Sequence, residues 1–124
     1  MPLITAATAP QFTIPGVTFT GLASPTRDAS DTAVWKVSLA PSGVGTTHQL
    51  TREEIFVCLA GSASIRLGDE VLTLSPGDTL IVPPHTDFGL DNPGDMPFEA
   101  VVVFPVGGQA ILPGQTPFTP PWAV

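Results

Sequence analysis

Glycine and proline punctuate this chain about every ten residues, and the apolar segments between them are the length of strands. The 124 residues include 15 prolines and 12 glycines. No stretch free of both keeps a helical apolar period through three turns, so helix content is expected to be minimal. Trp35, Val37 and Leu39 alternate with Val34, Lys36 and Ser38, the period-two signature of a half-buried strand. Phe12, Ile14, Val17 and Phe19 read as a proline-interrupted edge followed by a strand. Residues 54–60 are apolar after Glu54 and end at Gly61, which predicts a strand buried on both faces. Gly68 and Asp69 close a hairpin between residues 65–67 and 71–74. Further corners fall at residues 76–78, at Pro83 and Pro84, and at residues 92–95, ahead of a strand at 98–104. The expected fold is all-β, a barrel or a sandwich.

Size and charge narrow the class. The length suits one domain with its own core, spanning 1–124, with an extended N-terminal segment at 1–16 and a proline-rich C-terminal arm at 113–124. That arm, with Pro117, Pro120 and Pro121, cannot form a central strand and is expected to lie across a surface. Hydrophobic residues make up 43% and charged ones 12%, the composition of a chain that folds. The formal charge is −7, and only Arg27, Lys36, Arg52 and Arg66 are cationic, which argues against nucleic acid as a partner. No apolar run approaches the roughly 20 residues that cross a bilayer, and residues 1–10 lack the basic start of a secretion signal. The lone Cys58 cannot form an internal disulfide. A cytoplasmic location without membrane contact is therefore the expectation.

The order of turn residues from Gly43 to Asn92 resembles the cupin superfamily, small β-barrels with two sequence motifs separated by a hairpin. The first motif places two histidines, a glutamate and a glycine on positions that are here His48, Leu50, Glu54 and Gly61. The second runs through Gly77, Asp78, Pro83, Phe88 and Asn92, with Phe88 where the family has a histidine. The resemblance implies an antiparallel double-stranded β-helix, or jelly roll, and a homodimer. It also implies a divalent metal (iron, manganese, zinc or nickel) on three histidines and a glutamate, a set reduced here to His48 and Glu54. A catalytic ion takes about three protein ligands, so no metal is the preferred expectation. His85 is the nearest candidate for a third ligand, although its place after Pro83 and Pro84 fits a turn residue facing solvent.

Strand alternation places His48, Leu50, Glu54, Phe56 and Cys58 on one inner face, which with Phe88 outlines a mostly apolar pocket. Without a metal, His48 and Glu54 are expected to form a hydrogen-bonded pair in which the carboxylate raises the imidazole pKa. Cys58 reads as a small core side chain, Glu53 as surface charge, and Asp87 and Asp91 as loop carboxylates. Trp35 is expected in the core and Trp122 packing the arm. Residues 101–103 are apolar on both faces, as though another chain covered one of them. Two functions follow. The first is a small-molecule-binding barrel with a degenerate metal set. The second is a small enzyme, either a metal-dependent oxygenase or isomerase recruiting His85, or a metal-free isomerase or cyclase using His48 and Glu54. A purely structural or regulatory dimer is a third reading.

Overall fold

Every alternating segment forms a strand in the computed structural model, which describes residues 3–124. In chain order these are β1 (Gln11–Ile14), β2 (Val17–Ala23), β3 (Thr32–Leu39), β4 (Gln49–Leu50), β5 (Glu54–Ala60) and β6 (Ala63–Leu67). They continue with β7 (Glu70–Leu74), β8 (Thr79–Val82), β9 (Phe88–Asp91), β10 (Phe98–Pro105) and β11 (Ala110–Ile111). The helical residues described lie in short 3-10 turns at Ala6–Thr8, Pro25–Arg27 and Pro121–Ala123. A six-stranded sheet runs in the order β1-β2-β3-β10-β5-β8, a three-stranded sheet in the order β7-β6-β9, and β4 pairs with β11. All pairings are antiparallel, and the fold is the all-β jelly-roll barrel that the sequence implied.

The core forms where the alternating faces of β3, β10 and β5 meet. Phe98, Ala100, Val102 and Phe104 of β10 are all fully buried. Their register sets Phe98 beside Leu39, Ala100 beside Val37 and Val102 beside Trp35, while Val102 also faces Phe56 across to β5. Trp35 and Phe104 pack edge to face, with ring centroids 6.0 Å apart. At the strand ends, Gly61 has a φ of +69°, and a side chain there would run into the Pro97 carbonyl. Asn92 is buried and holds the turn before β10: its Nδ2 donates to the carbonyls of Leu39 (3.0 Å) and Met96 (2.8 Å), and its Oδ1 accepts from the Gly94 N–H (3.1 Å).

One expectation needs correcting. The apolar run of β5 is not buried on both faces. Glu54, Phe56 and Cys58 point inward, Ile55 and Val57 are half-buried, and Leu59 is 52% exposed. This chain covers only the inner side of its six-stranded sheet, so apolar outer residues stay partly open. Val101 and Val103 on β10 share that condition. The C-terminal arm lies across the mouth of the barrel, with residues 113–118 exposed and Pro120 and Ala123 buried against it. Phe118 exchanges two backbone hydrogen bonds with Ala110 (2.8 and 3.0 Å), the Trp122 ring stacks on Phe19 with centroids 3.6 Å apart, and Ala123 is buried. Proline removes ladder donors, but it does not prevent the aromatic residues between prolines from burying apolar area.

Candidate ligand cavity

The inner face encloses a cavity of about 430 Å³, within the range of roughly 300–1,000 Å³ usual for small-molecule sites. One wall comes from the large sheet: Phe19 of β2, Trp35, Val37 and Leu39 of β3, and Glu54 and Phe56 of β5. The opposite side comes from His48, Leu50, Phe88 and Leu90, and the mouth is lined by Phe118, Pro120, Pro121 and Trp122 of the arm with Ile14 and Val17. His48, Leu50, Glu54, Phe56 and Phe88 are thus brought together around one space. Cys58 is not among the residues that reach it. Its thiol is buried in the core on the same inner face, further along β5, with Sγ directed at the carbonyls of Ala60 (3.7 Å) and Gly61 (3.5 Å), and burial pushes its pKa up.

Two ionisable side chains line the cavity, and burial holds both uncharged at neutral pH. The His48 Nδ1 lies 2.7 Å from the Thr46 carbonyl oxygen. A carbonyl only accepts, so Nδ1 carries the proton and Nε2 is left as an acceptor. Burial lowers the His48 pKa from its usual value, the bond to Thr46 opposing it in part, so the ring is neutral. The Phe88 ring lies against it, centroid to centroid 4.5 Å. Glu54 is 4% exposed, and burial alone raises its carboxyl to about 8. At pH 7 it is a carboxylic acid that can donate one hydrogen bond and accept another.

The expected His48–Glu54 hydrogen bond is absent among the described residues. His48 spends its N–H on a backbone carbonyl, and its pKa is lowered where a carboxylate partner would have raised it. Asp91 is likewise no loop carboxylate: it ends β9 and pairs with Arg66, Nε to Oδ2 at 3.0 Å. Asp87 accepts from Gln49 Nε2 at 2.8 Å. His85 is exposed, has a φ of +56°, and donates its backbone N–H to the Leu50 carbonyl at 2.8 Å, away from the cavity lining.

The donor set does not fit the metal that the resemblance implies. Leu50 and Phe88 stand at two of the ligand positions, Glu54 is protonated, and no group of three or more metal-ligating side chains converges among the described residues. The cavity residues that the sequence did not disclose include Thr46, which sets the imidazole, Phe19, Trp35, Val37 and Leu39 of the large sheet, and the aromatic and proline residues of the arm. For the arm, the spacing of Phe118 and Trp122 among prolines was the only signal.

Residues 35–104, more than half of the chain, match the cupin domain, and the protein belongs to that family. No curated protein matches it in sequence. Among solved structures, the polyketide cyclase RemF from Streptomyces resistomycificus is 16% identical, with a TM-score of 0.81 over 94% of this chain and 87% of that one. An RmlC-like cupin from Shewanella frigidimarina is 17% identical, with a TM-score of 0.71 over 82% of this chain and 87% of the other. KdgF from Halomonas sp. is 25% identical, with a TM-score of 0.68 over 82% and 91% of the two chains.

The protonated state of Glu54 has a measurable consequence. Its folded-state pKa near 8 lies above the ordinary 4.5. Its stabilising contribution is therefore fully present below the unfolded value and is lost as pH rises through the folded one. Glu54→Gln keeps the shape and cannot ionise. Compared by urea unfolding at pH 5 and pH 8.5, the variant should gain on the wild type with rising pH, by at most about 1.4 kcal/mol per pH unit. A constant difference between the two proteins would show that Glu54 ionises normally in the folded state.

Proposed function

We propose that the barrel binds a neutral, mostly apolar small molecule whose polar end meets His48 and Glu54. The carrying observation is a cavity of about 430 Å³ whose two ionisable groups are both held uncharged. None of the four cationic side chains lines it. Arg27 bonds to Thr5, Thr8 and Leu22, Arg66 to Asp91, and Lys36 to Glu99, while Arg52 is exposed. An anionic ligand would lose its hydration beside a carboxyl with no cation to replace it. Isothermal titration calorimetry with 2-tetralone, a neutral bicyclic ketone, and 2-naphthoate, an anion of similar size, tests this. The ketone should bind at least about tenfold more tightly, a difference of about 1.4 kcal/mol. Equal or tighter binding of the anion would overturn the reading.

A second reading is supported by the same pair of groups. A neutral imidazole with Nε2 unprotonated and a carboxylic acid are a base and an acid ready for enolisation. His48 Nε2 would take a proton from the carbon beside a carbonyl while Glu54 protonates the carbonyl oxygen. Return of the oxygen proton to Glu54 and of the His48 proton to the same carbon completes hydrogen exchange or inversion at that carbon, and delivery of the His48 proton to a conjugated carbon instead completes an isomerisation; neither needs an oxidant. The loss of α-hydrogen NMR signal from 2-tetralone in D2O measures it. The wild type should accelerate the exchange, and His48→Ala should cut the acceleration by about a hundredfold or more. An unchanged rate in the variant would leave binding alone as the function.

We also infer a homodimer through the outer face of the six-stranded sheet. There Val57 lies beside Val101, Ile55 beside both Val103 and Ile81, and Ile81 is 54% exposed. A second copy would cover this apolar face. Sedimentation equilibrium should give twice the chain mass for the wild type and one chain mass for Ile81→Lys. A monomeric wild type would remove the inference.

A further inference from the structure

The His48 ring takes its orientation from Thr46, and Thr46 sits in a stretch that the sheet itself holds poorly. Residues 44–48 run antiparallel to β9. Val44 bridges Asp91, the Gly45 N–H donates to the Leu90 carbonyl at 2.8 Å, and His48 exchanges two backbone bonds of 3.0 Å with Phe88. Between these anchors, Thr46 and Thr47 make no backbone-to-backbone hydrogen bond among the described residues.

Arg66 spans that gap. It stands on β6 opposite Gly89 of β9. Its Nη2 donates to the Gly45 carbonyl at 2.7 Å and its Nη1 to the Thr47 hydroxyl, the residues on either side of Thr46. Its Nε and Nη2 also donate to the two oxygens of Asp91, at 3.0 and 3.1 Å. Every nitrogen of the planar fork is used, and a bidentate carboxylate fixes the plane in which it lies. Gly89 leaves the room: a Cβ at that position would collide with the guanidinium.

We propose that Arg66, held by Asp91, is a positioning residue for the cavity, clamping residues 45–47 so that the Thr46 carbonyl fixes the His48 ring and keeps its proton on Nδ1. The role rests on the reading of His48 Nε2 as the cavity's acceptor. Removing the clamp frees the carbonyl to turn away, and a neutral imidazole without that partner samples both tautomers. Lysine cannot substitute, because a single ammonium does not reproduce the fork that reaches Gly45, Thr47 and Asp91 together.

The test reads the imidazole directly in ligand-free, 15N-labelled protein, by long-range proton–nitrogen correlation at a pH where His48 is neutral. The exposed His85 is the internal reference. The wild type should show a single Nδ1-protonated tautomer for His48. Arg66→Met, Arg66→Lys and Gly89→Ala should each lose that signature and show a tautomer mixture, with far-UV circular dichroism unchanged. Persistence of the single tautomer in folded Arg66→Met or Arg66→Lys overturns the proposal. If the Met variant does not fold, the Lys and Gly89→Ala variants decide it by the same spectrum. Since no ligand is present, failure of 2-tetralone to bind would count against the proposed function and leave this result standing.

Discussion

Side chains in a strand alternate between two faces, and in this barrel that rule decides which groups meet inside. Once β10 lies between β3 and β5, the register places Phe98, Ala100, Val102 and Phe104 inward against Trp35, Val37, Leu39 and Phe56. The same phase that buries those apolar residues buries Glu54, two positions before Phe56. Slipping β5 by one residue would expose Phe56 and Cys58 and bring Ile55 and Val57 inside. The carboxyl is therefore carried into the cavity by the packing of its neighbours, and the apolar core offsets its desolvation.

From that constraint follows the electrostatics of the site. A carboxyl and an imidazole inside an apolar enclosure remain only in forms that carry no charge, unless a partner of opposite charge or a set of hydrogen bonds holds them ionised. Glu54 has neither, and His48 has one carbonyl. The two groups reach neutrality independently, each through its own burial, while facing a shared space. A metal centre would require the opposite environment: an ionised carboxylate and additional imidazoles where Leu50 and Phe88 now supply hydrocarbon.

Much of the architecture was legible because turns and caps have chemical signatures. Gly61, Gly77 and Asn92 mark positions where a positive φ or a buried side-chain amide is required, and each stands where the sequence placed it. The strands between them followed from alternation. What alternation does not convey is which side of a sheet is covered, so the apolar run from Ile55 to Ala60 read as doubly buried when only one of its faces is. Nor does it report how deep an inward residue sits: Cys58 shares the phase of Glu54 and Phe56, yet lies behind the cavity at the strand's far end. The partners of His48, Asp91 and Trp122 arise from contacts distant in sequence or from backbone carbonyls, and neither leaves a trace in the order of residue types. Thr46 and Arg66 went unnoticed as site residues for that reason.

The sheet wall of the cavity and the arm at its mouth differ in how they are attached. The sheet wall belongs to a continuous ladder, and it carries Glu54. The arm at the mouth, residues 118–122, is joined to the strands by the two bonds between Phe118 and Ala110 and by contacts of the Trp122 ring with Phe12, Phe19 and Trp35. The sheet thus fixes where chemistry is presented, and the arm bears on how much room surrounds it. A change of side chain in the arm alters the volume offered to an occupant without moving the ladder that carries Glu54. In a lineage of such barrels, the size of the ligand and the chemistry that meets it can drift as separate traits.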